Sequence, residues 1–95
     1  MAGAVVWASR AVEDVDAIAS YIGKDSAAYA SAVVKKILAT TRLLEKFPLS
    51  GRVVPEVDDS NLREQLAYNY RTIYRVRSDS VLIVAIIHGK RMLAL

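Results

Sequence analysis

Positively charged side chains are concentrated in the last third of this 95-residue sequence. Residues 61–95 contain six Lys/Arg and two Asp/Glu, a net charge of +4, whereas residues 1–60 contain seven and eight, a net charge of −1. Such asymmetry predicts contact with an anionic partner, because guanidinium groups bind phosphates and carboxylates through forked hydrogen bonds. The alternative is that arginines on strands only keep an exposed sheet face soluble. The candidate contact residues are Arg63, Arg71, Arg75, Arg77, His88, Lys90 and Arg91.

Few of these side chains can transfer a proton. General acid–base catalysis needs a group that gains or loses a proton near neutral pH, and an arginine, with a pKa above ~12, cannot easily do so. His88 is the only histidine and therefore the one ready candidate, with a structural role at a strand end as its alternative. Tyr68, Tyr70 and Tyr74 lie among the arginines, where they could stack on bases or pack on a peptide. Their spacing from Val76 instead favours core positions for Tyr70 and Tyr74.

Composition excludes several classes of site. The sequence has no cysteine, so it can form no disulfide, no thiolate nucleophile and no cysteine-based zinc site. A single histidine without carboxylates at ligand spacing predicts no metal site. Neither a phosphate-binding glycine loop around Gly89-Lys90 nor a serine-nucleophile motif is present, and we predict no cofactor. Without a signal peptide or ~20 consecutive apolar residues, the sequence predicts a cytoplasmic protein that has no membrane segment.

Helical periodicity dominates the first half of the chain, after a short strand predicted over residues 4–8. Ser9 is a candidate N-cap for a helix that ends at Gly23. A second helix is predicted from a cap at Ser26 to about Lys46, where a Phe-Pro pair ends it, because the residue before proline is pushed out of the helical region. The link between the two helices is short, which favours antiparallel neighbours and thus a helical hairpin.

A change from helical to alternating periodicity predicts strands in the second half. After a polar loop over residues 49–61, strands are predicted over residues 62–67, 70–77 and 81–87. The last of these is apolar throughout, as in a central strand covered on both faces. The predicted order is β-α-α-β-β-β in a single domain over residues 1–95. Helices grouped before a three-strand antiparallel meander predict an α+β fold, with the hairpin packed on one face of the sheet.

The strand pattern also predicts where the arginines point. Arg71, Arg75 and Arg77 fall on one face of the middle strand of the meander, because side chains alternate along a strand. A neighbouring strand could bring Arg63 alongside them. The sequence therefore predicts one shared patch of positive charge on the late strands.

Four segments carry motifs that occur in the same order in a known family. Residues 48–56 are similar to a "P-x-x-G-R-x-V-P-E" loop, and residues 62–64 and 70–76 to an "L-R-E … Y-R-I-I-Y-R-V" pair of strands. Residues 84–91 are similar to a closing "V-x-x-V-x-H-G-x-R" strand, and the pattern of residues 9–22 fits the same family's first helix. Over nearly its whole length the chain thus resembles the toxins of the RelE/ParE superfamily.

The resemblance implies the toxin component of a bacterial type II toxin–antitoxin system, a class associated with plasmid stabilization. Such a toxin is neutralised by a cognate antitoxin, which lays a disordered and often acidic segment over it in a hetero-oligomer. The basic C-terminal segment suits that partner. The superfamily divides by target: RelE-type toxins are mRNA interferases that cut message on the ribosome, whereas ParE-type toxins poison DNA gyrase and have no established nuclease site.

Compared residue by residue, the chain resembles the ParE-type branch more closely. Arg71 and Arg91 match arginines with which RelE-type toxins hold the scissile phosphate. That site's lysine pair is absent from residues 62–64, and no tyrosine follows Tyr74 to match its late tyrosine. We therefore expect a non-enzymatic toxin that binds gyrase. The alternative is a ribosome-dependent endoribonuclease in which His88 is the acid or base and Arg71 and Arg91 hold phosphate. A degenerate toxin that only buffers antitoxin is a third interpretation.

Overall fold

The chain folds into a hairpin of two helices and one five-stranded sheet. The structure, a computed structural model, describes residues 3–93. The predicted α+β order is confirmed, with one additional two-residue strand in the segment predicted as a polar loop. The elements are β1 (Ala4–Trp7), α1 (Ser9–Gly23), α2 (Ala27–Leu43), β2 (Arg52–Val53), β3 (Leu62–Ala67), β4 (Tyr70–Val76) and β5 (Ser80–His88).

The sheet has the strand order β1-β5-β4-β3-β2. The predicted antiparallel meander of the last three strands is confirmed as β3, β4 and β5. β1 is not antiparallel like the other strands, because it pairs in parallel with β5. A parallel pair requires a long crossover connection, and the helical hairpin provides it. β5 is therefore an internal strand, and Val81, Ile83 and Ala85 are buried. Burial on both faces explains why its sequence is continuously apolar.

An irregularity in the pairing of β4 with β5 determines which side chains reach each face of the sheet. Ile73 pairs with Ala85, but the next residue of β4, Tyr74, pairs with Ile83. β5 thus has one additional residue, Val84, at this point. Such a β-bulge shifts the side-chain alternation by one position. Ile83 consequently packs in the cluster that includes the helices, whereas Ala85 packs in a separate cluster.

The two helices pack on each other and on the sheet. The predicted cap at Ser26 is confirmed, since its Oγ accepts a hydrogen bond from the backbone N–H of Tyr29 at 3.0 Å. The cap predicted at Ser9 is wrong, because Ser9 is the first helical residue and Ala8, which has no hydroxyl, is the N-cap. α2 ends at Leu43, three residues earlier than predicted. The chain then continues in turns, in which each backbone N–H of residues 44–46 donates to the carbonyl three residues earlier. No helix within residues 3–93 is long and apolar enough to cross a membrane.

Buried apolar side chains form two clusters, one on each face of the sheet. The first lies between the helices and the sheet and includes Val33 and Ile37. The second lies on the opposite face, where Val54 of the loop and Leu93 of the C-terminal segment pack with Ile73. The segment predicted as a polar loop thus contributes apolar cover to the face that the helices leave open.

A glycine and a buried tyrosine fix the start of this covering segment. Tyr74 is fully buried, as its spacing predicts, and its Oη accepts a hydrogen bond from the backbone N–H of Gly51 at 2.9 Å. A Cβ at position 51 would collide with the phenol of Tyr74 and with the backbone carbonyl oxygen of Glu64. Gly51 therefore permits a close approach of two backbones that a side chain would prevent.

Candidate functional site

Arg71 lies at the centre of a buried ionic network on the face opposite the helices. Its Nη1 and Nη2 donate to the two carboxylate oxygens of Glu56, each at 2.7 Å, and its Nε donates to Oε1 of Glu64 at 2.7 Å. Nη1 also donates to the backbone carbonyl of Arg91 at 2.7 Å. The other oxygen of Glu64 accepts a hydrogen bond from Nε of Arg52 at 2.5 Å. Two arginines and two glutamates therefore neutralise one another within this network.

This network gives the guanidinium of Arg71 an internal partner for each of its nitrogens. The side chain of Arg71 is 5% exposed, and that of Glu64 is 0% exposed. Hydrogen bonds to Glu56 and then to Glu64 raise the pKa of Arg71 against the opposing effect of burial, so the guanidinium stays charged. Contact between Arg71 and a target or antitoxin stays a prediction, and the buried position of the side chain disfavours it.

Arg75 and Arg77 do not extend the network into a free positive patch. Arg75 forms an ion pair with Asp59 at 3.0 Å, and hydrogen bonds from the backbone of Asn61 and from Arg75 lower the pKa of Asp59. Arg77 follows β4 and is exposed. Along the strand it lies about 20 Å from Arg71, which is six residues earlier, at ~3.3 Å per residue. The prediction of one shared patch is therefore wrong, since acidic loop residues neutralise Arg71 and Arg75.

Arg63 lies on the opposite face of the sheet from Arg71, so the expectation that it joins the other arginines is also wrong. The β3–β4 register places Arg63 opposite Tyr74, and directly paired residues point to the same face. Its Nη1 donates to the backbone carbonyl of Gly51 and its Nε to that of Ser60, both at 2.9 Å. The structure thus shows Arg63 tying the two ends of the loop to the sheet.

A cluster of exposed basic side chains lies where β5 ends. His88, Lys90 and Arg91 are exposed, and within residues 3–93 their side chains form no ion pair. Nδ1 of His88 accepts a hydrogen bond from the backbone N–H of Lys90 at 3.2 Å. The buried network holds the carbonyl of Arg91, and its Glu56 accepts a hydrogen bond from the backbone N–H of Leu93 at 2.8 Å. We call His88, Lys90 and Arg91 the basic end, which the network anchors.

The alternative catalytic residues come together, but one of them has no free donor. Arg71 and His88 line a cavity of about 410 Å³, and His88 and Arg91 line another of about 500 Å³. Because the guanidinium of Arg71 is bonded to two carboxylates, Arg91 is the member of this set that can hold a phosphate beside His88. Among residues 3–93, no group of three His, Cys, Asp or Glu side chains is placed to hold a metal ion.

Tyrosines surround His88. Two of them, Tyr21 and Tyr29, were not among the candidate residues predicted from the sequence. Tyr70 packs edge-on against His88, with ring centroids 5.7 Å apart, and Tyr68 packs edge-on against Tyr29 at 5.9 Å. Tyr21 and Tyr29 belong to the helices and are 71% and 44% exposed. The signal that could have indicated them is their position outside the apolar stripe of each helix, close to the link. We call these four tyrosines and His88 the tyrosine end.

Acid is expected to weaken the fold through Glu56. Hydrogen bonds from Arg71 and then from the backbone of Leu93 lower the pKa of Glu56 from 4.5 to about 2. A carboxyl group whose pKa is lower in the folded than in the unfolded protein stabilises the fold above its unfolded pKa, and this stability is lost as the pH falls through the folded pKa. The melting temperature of the wild type should therefore fall between pH 4.5 and about 2.

Glu56→Gln is expected to lower the melting temperature at neutral pH and to reduce the further fall over that acid range. Asp58→Asn, which removes an exposed carboxylate from the same loop, should keep the acid response of the wild type. Thermal unfolding followed by circular dichroism measures both. Identical acid responses in the wild type and Glu56→Gln would show that Glu56 does not carry the effect.

Comparison with known proteins identifies the family. Residues 5–93 match the family described as "ParE toxin of type II toxin-antitoxin system, parDE". A solved chain of the "Chromosomal ParDE TA system from P. aeruginosa" has the same fold, with a TM-score of 0.75 and 20% identity over 95% of this chain and 98% of that one. No individual curated protein matches. Because the family match covers almost the whole sequence, the chain belongs to the ParE toxin family of type II toxin–antitoxin systems.

Proposed function

We propose that this toxin arrests bacterial growth by binding and poisoning a complex of DNA gyrase with DNA, and that it does not cleave RNA. The observation that supports a binding toxin is the occupied guanidinium of Arg71, which is bonded to Glu56 and Glu64 and is not free to hold a scissile phosphate. Strand cleavage also needs proton transfer at both the attacking and the leaving oxygen. His88 is the single histidine available for that work.

The basic end is the proposed contact with the gyrase complex. Lys90 and Arg91 are exposed, and the buried network holds the backbone that carries them. Cations presented on a fixed backbone attract an anionic partner and lose little conformational freedom when they bind it. DNA phosphates and acidic protein side chains are both partners of this kind.

The target is tested by giving the purified toxin both candidate targets in parallel. As the toxin is titrated into supercoiled plasmid and gyrase, linear DNA attached to gyrase is expected to accumulate. Message bound to ribosomes is expected to stay intact in the parallel reaction. Cleaved message together with undisturbed gyrase would overturn the proposal.

A ribosome-dependent mRNA interferase is the second candidate, favoured by the meeting of Arg71, His88 and Arg91 at one end of the molecule. His88→Gln separates the two candidates. A nuclease that uses His88 as its acid or base would lose about 10²- to 10⁴-fold in cleavage rate. A binding toxin would lose far less of its effect on gyrase after the same substitution, because Lys90 and Arg91 would still form the contact.

We further propose that a cognate antitoxin neutralises the toxin in the cytoplasm by covering two surfaces in a hetero-oligomer. The helical hairpin carries an apolar groove of about 460 Å³ whose lining includes Trp7, Val12 and Leu38, which suits the apolar face of an amphipathic segment. The basic end suits acidic side chains.

Expression of the toxin alone should arrest growth, and co-expression of the adjacent reading frame should restore growth. Normal growth in the absence of the antitoxin would instead indicate a degenerate toxin.

A further inference from the structure

Three cavities meet at His88. One of about 500 Å³ lies between α1 and the end of β5, one of about 410 Å³ lies beside the β3–β4 turn, and one of about 230 Å³ lies between that turn and the link of the helices. Tyr21 and Tyr70 line the first and the third, and Tyr68 lines the second. The tyrosine end therefore forms an indented surface with aromatic walls.

Three of the four rings of the tyrosine end are exposed to a ligand, whereas Tyr70 is half-buried and packs against the core. Tyr21 is 71% exposed, Tyr68 is 53% exposed and Tyr29 is 44% exposed, whereas Tyr74 of the core is fully buried. Burial and then the neighbouring phenols of Tyr29 and Tyr21 raise the pKa of Tyr70, so its ring stays uncharged at neutral pH. Exposed rings set close together are platforms on which planar bases stack.

Tyr68 has a backbone conformation that a tyrosine rarely adopts. Its φ is 54°, in the left-handed region where glycine and asparagine fit better than a bulky side chain. It lies in the turn between β3 and β4, and its half-exposed ring packs edge-on against Tyr29. An unfavourable conformation at an exposed aromatic residue points to a use for the ring outside the folding of the turn.

Positive charge borders the rings on one side. The lining of the cavity beside Tyr68 includes Lys90, whose side chain forms no ion pair among the described residues. Arg52 and Arg71 also line it, but the buried network pairs them with acids. The acids near the other two cavities lie toward the helices. Asp14 accepts a hydrogen bond from a backbone N–H of β5 at 2.9 Å, and Asp25 lies at the link between the helices. The phosphates of a nucleic-acid strand can therefore lie along the edge of this surface that carries Lys90, while its bases contact the tyrosine rings.

We propose that the tyrosine end, together with Lys90 and Arg91, binds single-stranded nucleic acid. Bases stack on Tyr68 and Tyr21, and phosphates pair with the two cations. The inference deepens the proposed function, on which it rests, by naming a DNA strand as what this end contacts in the gyrase complex. A single strand fits better than an acidic peptide, whose carboxylates would leave the neutral rings without partners. It also fits better than a duplex, whose bases already stack on one another.

The test measures binding of a fluorescein-labelled oligothymidylate of about 12 nucleotides to the full chain by fluorescence anisotropy, with no gyrase present. Tyr68→Asn is expected to weaken binding by about five- to 150-fold, the effect of losing one stacked base. Tyr68→Trp, which restores an aromatic ring, should bind like the wild type. Lys90→Ala should lower the slope of log affinity against log salt by about 0.7, the value for one phosphate contact on a single strand.

Two controls separate stacking from general effects on the fold. Asparagine accepts a left-handed φ, so Tyr68→Asn should keep the melting temperature of the wild type. Phe47→Ala removes an aromatic side chain that is 59% exposed and lies outside the tyrosine end, and it should leave binding unchanged. Wild-type affinity in Tyr68→Asn, tighter binding to a duplex, or preference for a polyglutamate peptide would each overturn the inference.

The absence of gyrase from this assay keeps the two proposals apart. A toxin that poisons gyrase but does not bind the oligonucleotide would overturn the nucleic-acid inference and leave the proposed function in place. A toxin that binds the oligonucleotide through Tyr68 but has no effect on gyrase would overturn the proposed function alone.

Discussion

Replacing Arg71 by methionine is expected to lower the free energy of unfolding by roughly 3–5 kcal/mol. The substitution leaves Glu64, whose side chain is 0% exposed, with one cation fewer, and it removes the donors to Glu56 and to the carbonyl of Arg91. A buried charge that loses its partner is strongly destabilising. Domains of this size have total stabilities of about 5–15 kcal/mol, so the loss is a large fraction of the total. Because each kcal/mol lost lowers the melting temperature of such a domain by several degrees, that temperature should fall by about 12 °C or more.

Arg77→Met is the matched control for this prediction. Arg77 carries the same charge but is exposed, so its replacement should change stability by no more than about 0.5 kcal/mol. Chemical denaturation of both variants, followed by circular dichroism, gives the comparison. If Arg71→Met proves as stable as Arg77→Met, the buried network does not hold the fold, and Arg71 becomes a candidate for target contact again.

Reversing the charges of Lys90 and Arg91 to glutamate together is expected to abolish growth arrest and leave the fold intact. Both side chains are exposed, and Arg91 joins the buried network only through its backbone carbonyl. Like charges brought together at a contact surface cost several kcal/mol, and every 1.4 kcal/mol is a factor of ten in affinity. At least about a hundredfold more toxin should then be needed for half-maximal DNA cleavage by gyrase.

The double substitution Lys35→Glu with Lys36→Glu makes the same change of charge on the exposed side of α2. It should retain growth arrest, which excludes an effect of net charge alone. Growth after induction and the melting temperature are measured for both double variants. Full arrest by the Lys90/Arg91 variant, at wild-type stability, would refute the basic end as the contact with the target.

Most elements of the fold could be predicted because their signals are local. Helical periodicity, the hydroxyl of Ser26 and the alternation of the late strands each act within a few residues of the chain. β2 could not be predicted, because a two-residue strand has no periodicity and exists only through pairing with Arg63 and Glu64 of β3. The start of α1 was misplaced because Ser9 offers a capping hydroxyl that the backbone does not use.

The composition of the site could be predicted, but its arrangement could not. The excess of positive charge and the position of His88 are visible in the sequence. Whether a guanidinium is free depends on distant carboxylates, and the partner of Arg71 in the loop, Glu56, lies fifteen residues away. The face on which Arg63 lies depends on strand register, and a slip of one residue would reverse it.

The exposed tyrosines show the same limit. Tyr21 and Tyr29 lie on the helices, far in sequence from Tyr68 and His88, and only the packing of the hairpin on the sheet brings them together. The position of a residue on the exposed side of its own helix does not predict which residues of other elements will lie next to it.

Site-specific photo-crosslinking can decide whether the basic end touches the target. Met92 is 75% exposed and adjoins Arg91, so a photoreactive phenylalanine in its place reports the contacts of this end. The same probe in place of Lys35 reports those of α2. In a mixture of toxin, gyrase and DNA, we expect crosslinks to gyrase or DNA from position 92 and none from position 35. Crosslinks from position 35 alone, under conditions in which gyrase is poisoned, would contradict the assignment of the basic end.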